Sequence, residues 1–129
     1  MVKIILISHG TLAKNLLETA SKIGSFDTKQ IDTFSVSSKG DFESLPSKLA
    51  KAVGKEGTLI MVDILGGSSC NMAVQSAQHL PQVKVLCGMN LNMLLTAINN
   101  KDKMDLKALA AKVLEDGRKA LIDISEKLK

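Results

Sequence analysis

The chain has 129 residues, 45% of them apolar but only 2% aromatic, and its 17 basic and 13 acidic residues give a formal charge of +4. That length fits one domain with a sizeable core of aliphatic side chains and methionine, while the lack of Tyr and Trp argues against a function built on base stacking. The positive charge is spread over scattered lysines and a single arginine, Arg118, which argues against a nucleic-acid face and leaves a mild attraction for an acidic protein partner.

Residues 2–7, "VKIILI", form a mostly apolar run that suits a strand buried on both faces, and "SHG" ends it. Residues 11–23 place Leu12, Leu16, Leu17, Ala20 and Ile23 at helical spacing, with Gly24 as the stop. "IDTFSV" at 31–36 alternates as a half-covered strand does. A helix over 41–53 follows, with Asp41 as its N-cap and Pro46 confined to its first turn. "GTLIMVDIL" at 57–65 is a second strongly apolar strand that runs into the turn "GGSSCN", and a helix over about 69–79 comes next. "VKVLCG" at 83–88 is a short buried strand, and 91–98 and 105–116 read as two helices. "ALIDIS" at 120–125 suits either a strand or a continuing helix, and Gly117 fits both accounts.

Strands alternating with helices through short loops imply a doubly wound α/β fold with a parallel sheet, and the flavodoxin-like order 2-1-3-4 is expected. With no repeat or linker, residues 1–129 make one domain. Cys70 and Cys87 form no CxxC pair and no zinc spacing, so reduced thiols are expected. The N-terminal apolar run is too short for a signal peptide or a membrane span, which implies a cytoplasmic protein.

In a 2-1-3-4 sheet the first and third strands are neighbours, and the ligand crevice lies beyond their carboxyl ends. His9 follows the first and Asp63 closes the third, so the two face each other there. Singly, each has an ordinary structural explanation: His9 a hydrogen-bonded residue at a strand end, Asp63 a turn cap, Gly66 and Gly67 the φ angles of a tight loop, and Ser68 a helix N-cap. Together they make a coherent chemistry. A neutral imidazole offers one nucleophilic nitrogen when the other holds the proton, and a carboxylate on that N–H stabilises the charge that develops on attack. Helix N-termini near Thr11 and Ser69 favour an anion, and the hydroxyls of Thr11, Ser68 and Ser69 add donors suited to a phosphoryl group. There is no Walker-type loop, no dinucleotide glycine triplet and no acidic cluster for magnesium, so no cofactor or metal is expected and the phosphate must arrive on another molecule.

"ILISHG" at 5–10, "VDILGGSSCN" at 62–71 and "GMNLNML" at 88–94 together resemble the mannose-class enzyme IIA of the bacterial sugar phosphotransferase system, across essentially the whole chain. Ser69 stands where proline is common in that family, and Leu65 where an aromatic residue is frequent. The resemblance implies that His9 accepts a phosphoryl group from phospho-HPr on Nε2 and passes it to a histidine of a IIB protein. It implies that Asp63 holds Nδ1 and that Ser68 contacts the phosphate, around which Gly10, Thr11, Gly67 and Ser69 are the further candidates. It also implies a homodimer, with "ALIDIS" where some relatives exchange a C-terminal antiparallel strand, and contact with the membrane only through IIC and IID.

Three rivals share parts of the pattern. A receiver-like domain phosphorylated on Asp63 needs an acidic pair after the first strand, where Ser8 and His9 stand. A serine hydrolase needs the G-x-S-x-G elbow, whose spacing "GGSS" lacks. A phosphotransfer subunit of the dihydroxyacetone-kinase type is the nearer alternative, and the "LGGSS" turn favours the sugar-transport branch.

Overall fold

A computed structural model describes residues 1–64 and 67–128, with Ser68 by its backbone alone. Four strands, β1 (Lys3–Ser8), β2 (Asp32–Ser35), β3 (Thr58–Val62) and β4 (Val83–Cys87), alternate with α1 (Leu12–Gly24), α2 (Lys39–Ala52), α3 (Ser68–Ala77), α4 (Leu91–Asn100) and α5 (Leu106–Lys119). The strands form one fully parallel sheet in the order β2-β1-β3-β4, as the alternation predicts. Leu65 and Gly66 and the Ser68 side chain, all in the expected active turn, lie outside the described residues. Among those described, no helix is long and apolar enough to cross a membrane.

The unbroken apolar runs of β1 and β3 have a direct cause. Successive side chains of a strand point to opposite faces, and both faces here are covered by helices. Ile4, Leu6, Leu59 and Met61 pack with Leu17, Leu94, Leu109 and Val113, so α1, α4 and α5 close one side. Ile5, Ile7, Ile60 and Val62 pack with Leu45, Leu49 and Ala73, so α2 and α3 close the other. Each such aliphatic side chain contributes about 1.5–3 kcal/mol by leaving water, and the central strands are thereby fixed in register.

Several local expectations shift. Asp41 is not the N-cap of α2. Ser38 is, and Asp41 sits at N3 of a capping box, its carboxylate accepting from the Ser38 N–H while the Ser38 hydroxyl accepts from the Asp41 N–H. Pro46 consequently lies inside α2 rather than in its first turn. It is tolerated on the solvent face, where the carbonyl it leaves unpaired can bond water. At the end of α1, Ser25 rather than Gly24 takes the left-handed cap, with φ +52°. Residues 120–125 are neither strand nor α-helix in the single chain. Residues 120–123 are irregular, a 3₁₀ turn spans Ile124–Leu128, and Leu121 and Leu128 are more than three-quarters exposed.

Gly117 does not separate two elements but lies buried within α5. A Cβ there would come 2.4 Å from Met93 Cγ, so glycine is what lets α5 seat against α4. Gly117→Val is expected to lower the unfolding free energy by about 1–3 kcal/mol in urea titrations, because overpacking outweighs the gain in helix propensity.

Candidate functional site

The buried strand β1 carries the chain to the open end of the sheet, and Ser8 controls the turn that follows. Its hydroxyl is fully buried, accepts the Ala13 N–H at 2.8 Å and donates to the His9 carbonyl at 3.1 Å. It thus caps α1 from the preceding strand. Gly10 turns the chain at φ +54°, with open space where a Cβ would be, so the conformation and not room requires glycine. The same turn is held from β2 and the loop after it: Ser35 Oγ donates to the Gly10 carbonyl at 2.6 Å and Ser37 Oγ accepts the Gly10 N–H at 3.2 Å.

This turn presents His9 to Asp63, as the strand order requires. Asp63 Oδ2 accepts both the His9 backbone N–H, at 2.9 Å, and His9 Nδ1, at 2.7 Å. Its other oxygen accepts the Ser69 hydroxyl at 2.5 Å and the Ile64 N–H at 3.0 Å. The His9 side chain is 49% exposed and that of Asp63 10%. Partial burial alone would raise the Asp63 carboxyl, but the His9 N–H, the Ser69 hydroxyl and the His9 ring outweigh it and lower the pKa from 3.8 to about 2. An ionised carboxylate only accepts, so Nδ1 carries a proton, and in the neutral form of this half-exposed imidazole the lone pair is on Nε2.

The depressed pKa has a consequence for stability. A carboxyl ionised more easily in the folded state stabilises the fold above the unfolded pKa, and that contribution disappears as the pH falls from about 4 towards 2. After allowance for solvent screening it amounts to about 1–2 kcal/mol. Urea titrations at pH 5 and pH 2 are expected to show this loss in the wild type and a smaller one in Ser69→Ala, which lacks one of the bonds holding the carboxylate ionised.

The other expected residues stand in different relations to this pair. A Cβ on Gly67 would meet Ile64 Cγ2 at 2.7 Å and His9 Cε1 at 3.4 Å, so the bare glycine lets the start of α3 approach the imidazole. Thr11 is exposed at the start of α1, its hydroxyl accepting from Asn15 Nδ2 at 3.1 Å. Ser69 is fully buried and gives its only hydroxyl proton to Asp63, so it reaches the site through the carboxylate. The first amides of α1 and α3 aim positive partial charge at this end of the sheet. Exposed Leu12 and Ile64 flank His9 and Asp63 in the chain. Such a site can hold an anion against a nucleophilic ring nitrogen. Sequence reasoning overlooked Ser8, Ser35 and Ser37. Their signal lay in the strand order itself, which pairs Ser8 with Ser35 at the carboxyl edge of β1 and β2.

Comparison with known proteins agrees with this geometry. The family model EIIA-man, described as "PTS system fructose IIA component", matches residues 3–114. The sorbose-specific EIIA component of the phosphotransferase system of Klebsiella pneumoniae is 28% identical over 102 residues, 78% of this chain and 76% of that protein. The mannose/sorbose-specific IIA subunit of Enterococcus faecalis superposes with a TM-score of 0.82 at 27% identity, covering 95% of this chain and 93% of that one. A phosphotransferase-system EIIA from Streptococcus agalactiae, at 23% identity, shares the fold with a TM-score of 0.88 over 98% of this chain and 99% of its own.

Proposed function

Because this chain belongs to the EIIA-man family, a phosphotransfer component of the sugar phosphotransferase system, we propose that it is a cytoplasmic phosphohistidine carrier phosphorylated on His9. The observation that carries this reading is the 2.7 Å contact between His9 Nδ1 and the Asp63 carboxylate, which leaves Nε2 as the nucleophile on an accessible ring. In the first half-reaction the Nε2 lone pair forms a bond to phosphorus as the bond to HPr breaks, and HPr keeps that electron pair. The imidazole becomes cationic, and Asp63 stabilises that charge through the Nδ1–H. In the second half-reaction a histidine of the IIB protein attacks the same phosphorus, and His9 leaves with its lone pair restored.

Transferring phosphoryl oxygens need donors more than covalent chemistry. The backbone at Gly10, Gly67, Ser68 and Ser69 and the Thr11 hydroxyl are the groups assigned to them, with Ser69 also steadying Asp63. The exposed Leu12 and Ile64 give HPr and IIB an apolar rim on which to dock. The exposed apolar tail beyond α5 and the open edge of β4 support a homodimer in which each tail pairs with the partner. The membrane is reached only through IIC and IID.

The direct test is incubation with HPr, enzyme I and phosphoenolpyruvate, followed by intact mass and peptide mapping under alkaline conditions. One acid-labile phosphate on the peptide holding His9 supports the reading. Labelling of Asp63 by acetyl phosphate and Mg²⁺, with His9 unmodified, would replace it with a receiver-type activity.

A further inference from the structure

The sulfur atoms of Cys70 and Cys87, seventeen residues apart in sequence, lie 2.7 Å from each other although both are free thiols. Even carbon atoms in van der Waals contact stay about 3.5–4.0 Å apart, whereas a disulfide bond is about 2.04 Å long. Cys70 occupies the first turn of α3 and Cys87 ends β4. Parallel pairing of β4 with β3 and packing of α3 on the same sheet bring the two together, so the whole fold fixes the approach. We propose that Cys70 and Cys87 form a reversible dithiol–disulfide site that low-molecular-weight disulfides oxidise.

The two thiols differ in access, and that sets the order of events. Cys70 is buried at 4% exposure, while Cys87 is half-buried and lines a cavity of about 310 Å³ with Asn90, Met93, Leu114, Arg118 and Leu121. Arg118 is among the residues that line that cavity, and its positive charge favours a small disulfide that carries carboxylates, as glutathione does. The Cys87 thiolate attacks one sulfur of the small disulfide, forming a mixed disulfide and releasing one small thiol. The Cys70 thiolate then attacks Cys87 Sγ and expels the second small thiol. The protein loses two protons and two electrons, and the small disulfide becomes two thiols. Burial, the Cys70 thiol and the Asp63 charge raise the Cys87 pKa to about 11, so the thiolate is scarce at neutral pH and exchange with small disulfides is slow there.

Cys70 directly follows Ser69, the residue that donates to Asp63, and Cys87 lies two residues before Met89, whose N–H bonds the Val62 carbonyl at 2.9 Å. The bridge therefore ties together the two segments on either side of Asp63. It forms on the unphosphorylated protein and is independent of the role proposed for His9.

The test uses the full chain in oxidised-to-reduced glutathione buffers at pH 8, read by intact mass, non-reducing peptide mapping and thermal melting. The expected wild-type product has lost two hydrogens, links the peptides of Cys70 and Cys87, and melts at least about 5 °C higher because the bridge closes a 17-residue loop. Cys70→Ser is expected to stop at a glutathione adduct on Cys87, and Cys87→Ser to stay unmodified because the remaining thiol is buried. A wild type that stays a dithiol in fully oxidised glutathione, or that yields only intermolecular bridges, overturns the proposal and leaves the pair as packed thiols. An adduct on Cys70 in Cys87→Ser overturns the order of attack.

Discussion

His9→Gln is expected to lose at least about 10⁴-fold in the rate of phosphoryl acceptance from phospho-HPr, the scale on which removing an enzyme's nucleophile acts. The argument rests on what glutamine keeps and what it lacks. The backbone N–H at position 9 still donates to Asp63 Oδ2, Ser8 still caps α1, and Gly10 still turns the chain, so the scaffold of the site survives. The half-exposed ring contributes little to the core, and the melting temperature should fall by no more than a few degrees. What disappears is the Nε2 lone pair of the ring that Asp63 holds through Nδ1, because an amide nitrogen is not a nucleophile. Quenched-flow mixing with phospho-HPr, read by intact mass, measures the rate. His79→Gln serves as the control, since His79 is exposed just beyond the end of α3, and it should match the wild type. A phosphate that still appears on the His9→Gln protein at the wild-type rate would move the acceptor elsewhere.

The positions of His9 and Asp63 are legible in the sequence because they depend on topology. Apolar runs ending at residues 7 and 62 identify central strands, and one rule about crossovers makes those strands neighbours. What the pattern could not show was the division of labour among hydroxyls. Ser69 reads from sequence as a phosphate donor, yet rotation of α3 against β3 turns its hydroxyl to Asp63. Likewise Ser8 and Ser35 read as polar strand ends, and only the register shows that they brace one turn from two strands. The Asp41 cap failed for a related reason. Ser38 and Asp41 are both capping residues three apart, and a reciprocal box uses both, so the more acidic one alone marks the wrong boundary. The tail after Lys119 was ambiguous because its apolar residues stay largely exposed in the single chain, and periodicity presupposes a surface to pack against.

Asp63→Asn is expected to slow transfer by about 10²–10⁴-fold, by the reasoning that applies wherever a carboxylate fixes a catalytic imidazole. The substitution is nearly isosteric, so the effect isolates charge and hydrogen-bond direction. In the wild type four donors converge on one carboxylate: the His9 N–H, His9 Nδ1, the Ser69 hydroxyl and the Ile64 N–H. An asparagine side chain has one oxygen and one NH₂, so one pair of those donors must face an NH₂ group. If the oxygen faces His9, Ile64 and Ser69 lose their acceptor and the loop that carries residue 63 is no longer held in place. If the NH₂ faces His9, it donates to Nδ1, and the ring proton moves to Nε2, which removes the lone pair that attacks phosphorus. Either way the positive charge that develops on the ring has no counter-charge. Nitrogen NMR of labelled imidazole distinguishes the two cases by the tautomer, and the transfer rate measures the cost. An Asp63→Asn protein that transfers at the wild-type rate with the proton still on Nδ1 would reduce Asp63 to a turn residue. The same comparison in Ser69→Ala, which keeps the charge but loses one bond, should fall between the two, at about 10–100-fold below wild type.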